Sequence, residues 1–359
     1  MVLLESGRRA SANVVGLGLI GGSVALALQA RGFEVWGSDE DPGRTASALE
    51  KGIISHSGVT SEGQVTFVAT PVGSLSRTVA GMLRETRGVV TDVGSVKQPV
   101  ADSIKDPRFV PGHPMAGSEL DGLDGADASM FQGAVWVLTP NEESSDASFA
   151  YLAELISGFG AEVVALEAKK HDELVAIVSH VPHLLASTLM GIADERADEH
   201  MALLRLAAGG FRDMTRIASG RPGIWLDICD ENRASIISGI DAISKSLAQV
   251  KEIIARGDRV ALFERLERAR KARMNLPTRA GSVEDLCEVR IPIPDRPGSA
   301  AEVFALSGEL GVNISDFEVV HSAEGDRGVM VVIIRAEQAD VFRGGLLARK
   351  FKPSVAPLS

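Results

Sequence analysis

The chain has 359 residues, 45% hydrophobic and 24% charged, the composition of a soluble globular protein long enough for two or three domains. Its net charge of -11 argues against nucleic acid as a partner, because phosphate binding needs a basic surface, but it leaves room for a small anion held by a few pocket arginines. Two cysteines, Cys229 and Cys287, each in an apolar context, exclude a disulfide framework and predict buried thiols in a reducing compartment.

At the N-terminus, Val2-Leu3-Leu4 is too short for a signal h-region. No uninterrupted apolar run approaches the roughly 18 residues of a membrane span, so a cytoplasmic protein without a membrane partner is expected. Apolar strands are predicted at Ala12–Gly16, Glu34–Ser38, Gln64–Ala69, Gly88–Asp92, Ala134–Leu138 and Glu162–Leu166. Helices such as Gly22–Arg31 and Ser148–Phe159 lie between them, which predicts an α/β domain over 1–168 built on an open, mostly parallel, doubly wound sheet.

Gly16-Leu17-Gly18-Leu19-Ile20-Gly21 joins the first strand to the first helix. Gly16 permits a tight turn, Gly18 lets the backbone approach a pyrophosphate, and Gly21 lets the helix pack close. The helix N-terminus offers free amides and partial positive charge to the phosphates. Asp39 lies 18 residues past Gly21 at the end of the second strand, close to the roughly 20 expected of the acid that binds the ribose. Glu40 and Asp41 follow, with no arginine before Arg44, which favours NAD over NADP.

Hydride transfer from an alcohol carbon needs a group to take the hydroxyl proton, and histidine suits this near neutral pH. His113, in Pro111–Gly117, is expected in a loop at the carboxyl edge of the sheet, where ligands of such folds bind. In Asp92–Lys97, Ser95 could bond a substrate hydroxyl or orient His113, and Lys97 could hold an anion; the alternative is a helix N-cap by Ser95 with a surface lysine.

From Lys169 to Met274 the strand signals stop and an all-α domain (169–275) is predicted. Asp172, Ala176, His180 and His183 share one face of a helix over Lys169–Leu185, kinked by Pro182. The two histidines lack further ligands at matching spacing, so no metal site is assigned. Arg212, Arg216, Arg221 and Arg233 cluster around Gly209-Gly210, a candidate anion anchor. Ile236, Ile240, Ile243, Leu247, Val250 and Ile254 form one apolar helix face, widened by Ile237 and Ile253, which is destined either for the monomer core or for a dimer interface. Gly257-Asp258 reads as a stop and an N-cap, before a helix carrying Val260, Phe263 and Leu266.

Asn275–Val283 reads as a linker. Over 284–359, the strand with Cys287, Val289, Ile291 and Ile293 carries Pro292, a sign of an edge or bulge. A turn at Asp295–Gly298 opens a helix to Leu310. Strands Ile314–Val320 and Gly328–Arg335 join at Glu324–Asp326, and a helix over Glu337–Arg349 precedes a short strand at Lys352–Val355. The order βαββαβ predicts a small ferredoxin-like domain.

Gly16–Ser23 (GLGLIGGS), Ala69–Val72 (ATPV), Asp92–Lys97 (DVGSVK), Gly112–Gly117 (GHPMAG), Ser179–His183 (SHVPH) and Gly210–Ile228 together resemble, in order, the prephenate/arogenate dehydrogenases over 12–275. Asp295-Arg296-Pro297-Gly298 and Gly311-Val312-Asn313-Ile314 resemble an ACT-like, amino-acid-sensing module. The resemblance implies NAD-dependent oxidative decarboxylation of prephenate to 4-hydroxyphenylpyruvate in tyrosine biosynthesis. It implies that His113 accepts the ring hydroxyl's hydrogen bond or proton, supported by Ser95. Arg216 would bind a substrate carboxylate, and Gly209, His183 and Trp225 would line the pocket. Gly16, Gly18, Leu19, Ile20, Gly21, Asp39, Thr70 and Pro71 would hold the cofactor.

The ACT-like end, with Asp295, Pro297, Gly298 and Asn313, implies feedback by L-tyrosine or another aromatic amino acid in a homodimer. Arogenate dehydrogenase is the alternative within the family, although His183 inclines the reading to prephenate. Outside it stand another NAD enzyme with a helical second domain, such as a 3-hydroxyacid dehydrogenase, and a non-catalytic NAD and amino-acid sensor.

Overall fold

The computed structural model describes residues 10–117, 122–197, 207–275, 286–294, 296, 298–321 and 327–357. The chain divides between Ser246 and Leu247 into two compact units. The first begins with β1 (Ser11–Val15), α1 (Leu19–Ala30), β2 (Glu34–Ser38), α2 (Pro42–Glu50), β3 (His56–Ser57), β4 (Val65–Val68), α3 (Leu75–Glu85) and β5 (Val89–Asp92). These strands form a parallel sheet in the order β3-β2-β1-β4-β5. β4 is buried along its whole length, as expected of a central parallel strand. Asn13 is the buried polar exception on β1; its amide bonds both Thr60 and Thr66, so its desolvation is compensated.

The chain continues through α4 (Gln98–Ser103), β6 (Gly112–Pro114), β7 (Val135–Leu138), α5 (Asp146–Ser157) and β8 (Glu162–Ala165). Here the structure corrects the expectation of one continuous sheet. β6, β7 and β8 form a second, three-stranded sheet, with β6 antiparallel to β7 and β8 parallel to it. His113 therefore sits on a strand, not in a loop. Just before β6, Phe109 makes a single parallel bridge to Val90 of β5, and there the pairing stops, because Pro111 and Pro114 lack the amide hydrogens to carry it further. Phe67, Phe131, Trp136 and Phe159 pack together between the strands and α5 in the core.

Next come α6 (Ala168–Val175), a π-helical turn at Ala176–His180, and α7 (Val181–Ala197). The expected kink at Pro182 takes the form of this widened turn, which absorbs the missing amide and the clash of the proline ring with the turn before it. Ala168–Arg196 is long and apolar enough, by length and composition, to cross a membrane, which the search for an unbroken apolar run did not find. One side carries buried His171, Asp172, His180 and His183, while Leu174, Ile177, Val178 and Ile192 on the other side are exposed.

Further helices are α8 (Gly209–Thr215), α9 (Pro222–Glu231), α10 (Arg233–Ala255) and α11 (Arg259–Met274). Along α10, Ile236 and Gly239 are buried, and a Cβ on Gly239 would lie 2.9 Å from Val181, so α10 approaches α7 closely. Ile237, Ile240, Leu247 and Ile254 on α10, and Val260, Phe263 and Leu266 on α11, are exposed within the chain. The predicted apolar face is thus only partly consumed by the monomer's own core, which takes Ile236 and Ile243.

The second unit carries β9 (Leu286–Pro294), α12 (Ser299–Glu309), β10 (Ile314–His321), β11 (Arg327–Arg335), α13 (Ala339–Ala348) and β12 (Ser354–Pro357). The strands form an antiparallel sheet in the order β10-β11-β9-β12, and the element order is the predicted βαββαβ. Val289, Ile291 and Ile293 alternate into a core with Val303, Leu306, Phe342 and Leu346. β9 is a central strand, but β12 pairs with it only as far as Arg290, so Pro292 lies where one side has no ladder to feed. Both cysteines are free; Cys287 is buried, whereas Cys229 is only half-buried. Most of the expected linker, the Glu324–Asp326 turn, Asp295 and Pro297 lie outside the described residues.

Candidate active site

The glycine turn meets the requirements read from its sequence. Gly16 has φ +95°, and a Cβ there would lie 2.4 Å from the Ala69 carbonyl; a Cβ on Gly21 would collide with the Gly16 carbonyl. Gly18, at the N-cap of α1, differs: a Cβ there would meet nothing within 4 Å. Its own packing does not demand glycine, and the space in front of it fits a pyrophosphate. Beside the turn, the buried Thr70 Oγ1 lacks a hydrogen-bond partner among the described residues, a second feature that fits a bound dinucleotide. Leu19 and Ile20 open the helix, and Pro71 precedes a short 3-10 turn at the end of β4.

Asp39 stands at the end of β2 with its carboxylate accepting from the Leu17 amide at 2.7 Å. Arg44, counted in the sequence as lying beyond the acidic run, reaches back to Asp39 at 3.0 Å, and Asp41 is spent capping α2. The expectation of NAD is unaffected, but its reason changes: the three carboxylates are not all free to face a 2′-phosphate. Asp39 is the carboxylate bonded to the glycine turn, and it is paired with Arg44.

His113, on β6, is buried. Its Nδ1 lies 2.9 Å from Nε2 of His171, and His171 Nδ1 lies 2.8 Å from Asp172 Oδ1. His171 and Asp172 belong to α6 and are buried too. Burial pushes the His113 imidazole well below the ordinary histidine range, with His171, Lys97 and His180 adding to the effect, so it is neutral at neutral pH. His180 is pushed down to about 4, mainly by burial. Its Nδ1 is 3.2 Å from the Asn232 amide nitrogen, which also donates to the Asp172 carbonyl.

Lys97 corrects the sequence reading. It is completely buried, and its ammonium bonds the Asp92 carboxylate and, at 2.8 Å, the Gly112 carbonyl. It holds the backbone next to His113 and is not open to an anion. Burial lowers its pKa, opposed by Asp92. Ser95 is partly exposed, and it does not cap α4. That helix is capped from outside by Asp172, which accepts from the amides of Lys97 and Gln98, each at 2.8 Å.

On the far side of His180, Trp225 crosses its ring edge-on at 6.2 Å and stacks on His183 at 3.6 Å. Gly220, at the end of the 3-10 turn Arg216–Ser219, approaches both His183 and Trp225. The structure thus links His113, by way of His171, Asp172 and Asn232, to His180, Trp225, His183 and the end of the turn that begins at Arg216. Gly209 begins α8 with open space in front of it. Arg233, by contrast, pairs with Asp230 on the surface.

Comparison with known proteins bears on this geometry. Residues 24–165 match the family model described as prephenate dehydrogenase, nucleotide-binding domain, and residues 167–268 the one described as prephenate dehydrogenase, dimerization domain. The prephenate dehydrogenase of Bacillus subtilis (strain 168) is 31% identical over 341 residues, which cover 90% of this chain and 92% of that relative. The chain belongs to the prephenate dehydrogenase family. Among solved structures, the prephenate dehydrogenase from A. aeolicus in complex with hydroxyphenyl propionate and NAD+ aligns with a TM-score of 0.71 at 28% identity, covering 75% of this chain and 99% of that one. Synechocystis arogenate dehydrogenase aligns with a TM-score of 0.65 at 27% identity, covering 73% and 98%.

In this member of the prephenate dehydrogenase family, sequence reasoning passed over His171 and Asn232 and left Asp172 without a role. The His-Asp pair on a helix was visible, but nothing local says that it reaches β6. For the cofactor half, Gly18→Ala is expected to raise the KM for NAD by at least about tenfold, ~1.4 kcal/mol, with Tm unchanged, because the methyl meets no protein atom. Thermal melts and NAD titrations check both parts.

Proposed function

We propose that this chain is an NAD-dependent prephenate dehydrogenase, converting prephenate to 4-hydroxyphenylpyruvate with loss of carbon dioxide. The observation that carries the reading is the buried imidazole of His113, whose neighbour Gly112 is tied to Asp92 and Lys97 at the carboxyl end of β5 in the dinucleotide-binding sheet. Bound NAD supplies the hydride acceptor. His113 Nε2 takes the hydrogen bond of the ring hydroxyl and draws its proton as the hydride leaves the same carbon. Ser95 steadies that hydroxyl. The ring carboxylate departs as carbon dioxide, its electron pair completes the aromatic ring, and the proton returns to the phenolic oxygen. Arg216 pairs with a substrate carboxylate, while Gly209 and the stacked His183–Trp225 pair frame the ring.

The reading extends to the rest of the chain. Residues 1–168 bind NAD, 169–275 bind substrate and dimerise, and 284–359 form an ACT-like domain that senses L-tyrosine or another aromatic amino acid. Gly298 (φ +93°) and Asn313 belong to its regulatory site, as do Asp295 and Pro297. The protein works in the cytoplasm as a homodimer, through the exposed apolar faces of α10 and α11. Sedimentation should give a dimer for the parent and a monomer for Leu247→Glu/Phe263→Glu; a monomeric parent would remove the dimer from the reading.

Steady-state rates with prephenate and arogenate, each with NAD and NADP and with and without tyrosine, test the whole. Prephenate with NAD is expected to be turned over best, and tyrosine to inhibit. Faster turnover of arogenate would make the enzyme an arogenate dehydrogenase, and a parent without turnover would make it a sensor.

A further inference from the structure

We infer that His171 and Asp172 are positioning residues that hold His113 as the tautomer protonated on Nδ1, leaving Nε2 bare as the base. The inference rests on the reading of His113 as the group that accepts the hydroxyl proton.

The argument runs outward from the carboxylate. Asp172 accepts at three points: Oδ1 from the Lys97 amide and from His171 Nδ1, and Oδ2 from the Gln98 amide. An ionised carboxylate only accepts, so the hydrogen shared with His171 resides on Nδ1 of that ring. With that one hydrogen on its ring, His171 has a bare Nε2, which at 2.9 Å receives a hydrogen from His113 Nδ1; a doubly protonated His171 would instead donate to His113 Nδ1, and the nitrogen-15 spectrum separates the two arrangements. A neutral imidazole has one N–H, so His113 Nε2 keeps its lone pair.

Burial makes the arrangement specific. His171 and Asp172 are closed to water, so no solvent molecule can substitute for either partner. The rings meet nearly edge-to-face, at 76°, which suits an in-plane N–H aimed at an in-plane lone pair better than packing by stacking. The carboxylate also caps α4, whose preceding residue, Lys97, grips the Gly112 carbonyl beside His113. One side chain therefore sets both the tautomer of the base and the backbone that carries it.

The relay also gives the incoming charge somewhere to go. As the substrate hydroxyl proton forms a bond to His113 Nε2, the Nδ1 proton can pass to His171 Nε2. The positive charge then sits against the Asp172 carboxylate, and the transfers reverse when the phenolic oxygen recovers its proton. No proton is gained or lost overall.

The test is nitrogen-15 NMR of histidine-labelled protein, with the His113 signals assigned by their loss in His113→Asn. The parent is expected to show His113 protonated on Nδ1 and bare on Nε2. His171→Leu removes the acceptor, so the His113 signals should move toward the Nε2–H form. Its kcat should fall by about 10- to 100-fold while the KM for prephenate changes little. His171→Gln, whose amide can both accept from His113 and donate to Asp172, should restore the tautomer and most of the rate.

A parent with its proton on Nε2 overturns the inference, as does a His171→Leu enzyme that turns over like the parent. Should His171→Leu not fold, the spectrum of the parent decides alone. That spectrum is independent of turnover, so a failure of the functional reading would show separately in the rates.

Discussion

Replacing His113 by asparagine should lower kcat by roughly 10²- to 10⁴-fold, the usual contribution of a positioned acid–base group, and leave NAD affinity intact. The asparagine amide has no basic nitrogen, so the hydroxyl proton has no acceptor at the moment the hydride leaves. The cofactor turn lies on β1 and α1, away from β6, so NAD binding has no reason to change. The pH profile gives an independent check. Burial holds His113 well below its ordinary range, so the base is already free at neutral pH. The activity, kcat/KM, should stay flat as pH falls through the ordinary histidine value of about 6.5 and drop only below it. An acid limb centred at about 6.5 would mean that the essential histidine is solvated, and so is not this one. Unchanged turnover in His113→Asn would remove the proposed mechanism altogether.

Lys97→Met should be the most destabilising single change near the site. Removing one partner of a buried ion pair leaves an uncompensated charge, at a cost of about 3–5 kcal/mol. Asp92 would be that charge, buried with its carboxylate on the amides of Gly94 and Gly112. For a chain of this size the loss lowers Tm on the order of 10 °C. Asp92→Asn in the same molecule removes the stranded charge and should recover part of the Tm. Activity should fall as well, because the Gly112 carbonyl that Lys97 holds precedes His113. An unchanged Tm with a raised KM for substrate would instead return Lys97 to the anion-holding role that its sequence motif suggested.

Much of the molecule is readable along the chain because its determinants are local. β1, β2, β4, β5, β7 and β8 fall within a residue or two of their predicted spans, since strands covered on both faces need unbroken Val and Ile runs, whereas the short β3 and β6 were not expected. Gly21 is demanded by the Gly16 carbonyl five residues away, and Gly16 by its own positive φ as well as by the Ala69 carbonyl on the neighbouring strand's loop. Likewise, the alternation of Val289, Ile291 and Ile293 announces a half-buried strand whatever it pairs with. The predicted face of Asp172, Ala176, His180 and His183 is buried at all four positions, although the π turn at Ala176–His180 interrupts the even helical period. What failed was long-range. Lys97 looked like a surface cation because its partner, Asp92, sits on a strand end that could equally have faced water. Arg44 looked too far along the chain to matter to Asp39, although one turn of α2 brings it back.

By itself, then, the sequence determined the glycine turn, the alternation of strands and helices, the helical stretch and the βαββαβ order, because each is written in hydrophobic period and backbone sterics. Only the tertiary structure decided that His113 lies on a strand of a separate sheet, that a histidine 58 residues away touches it, and that a carboxylate 75 residues from Lys97 caps its helix. Those contacts depend on how α6 packs against β6 and α4. That packing is set by the summed burial of many side chains, and no short window of sequence contains it.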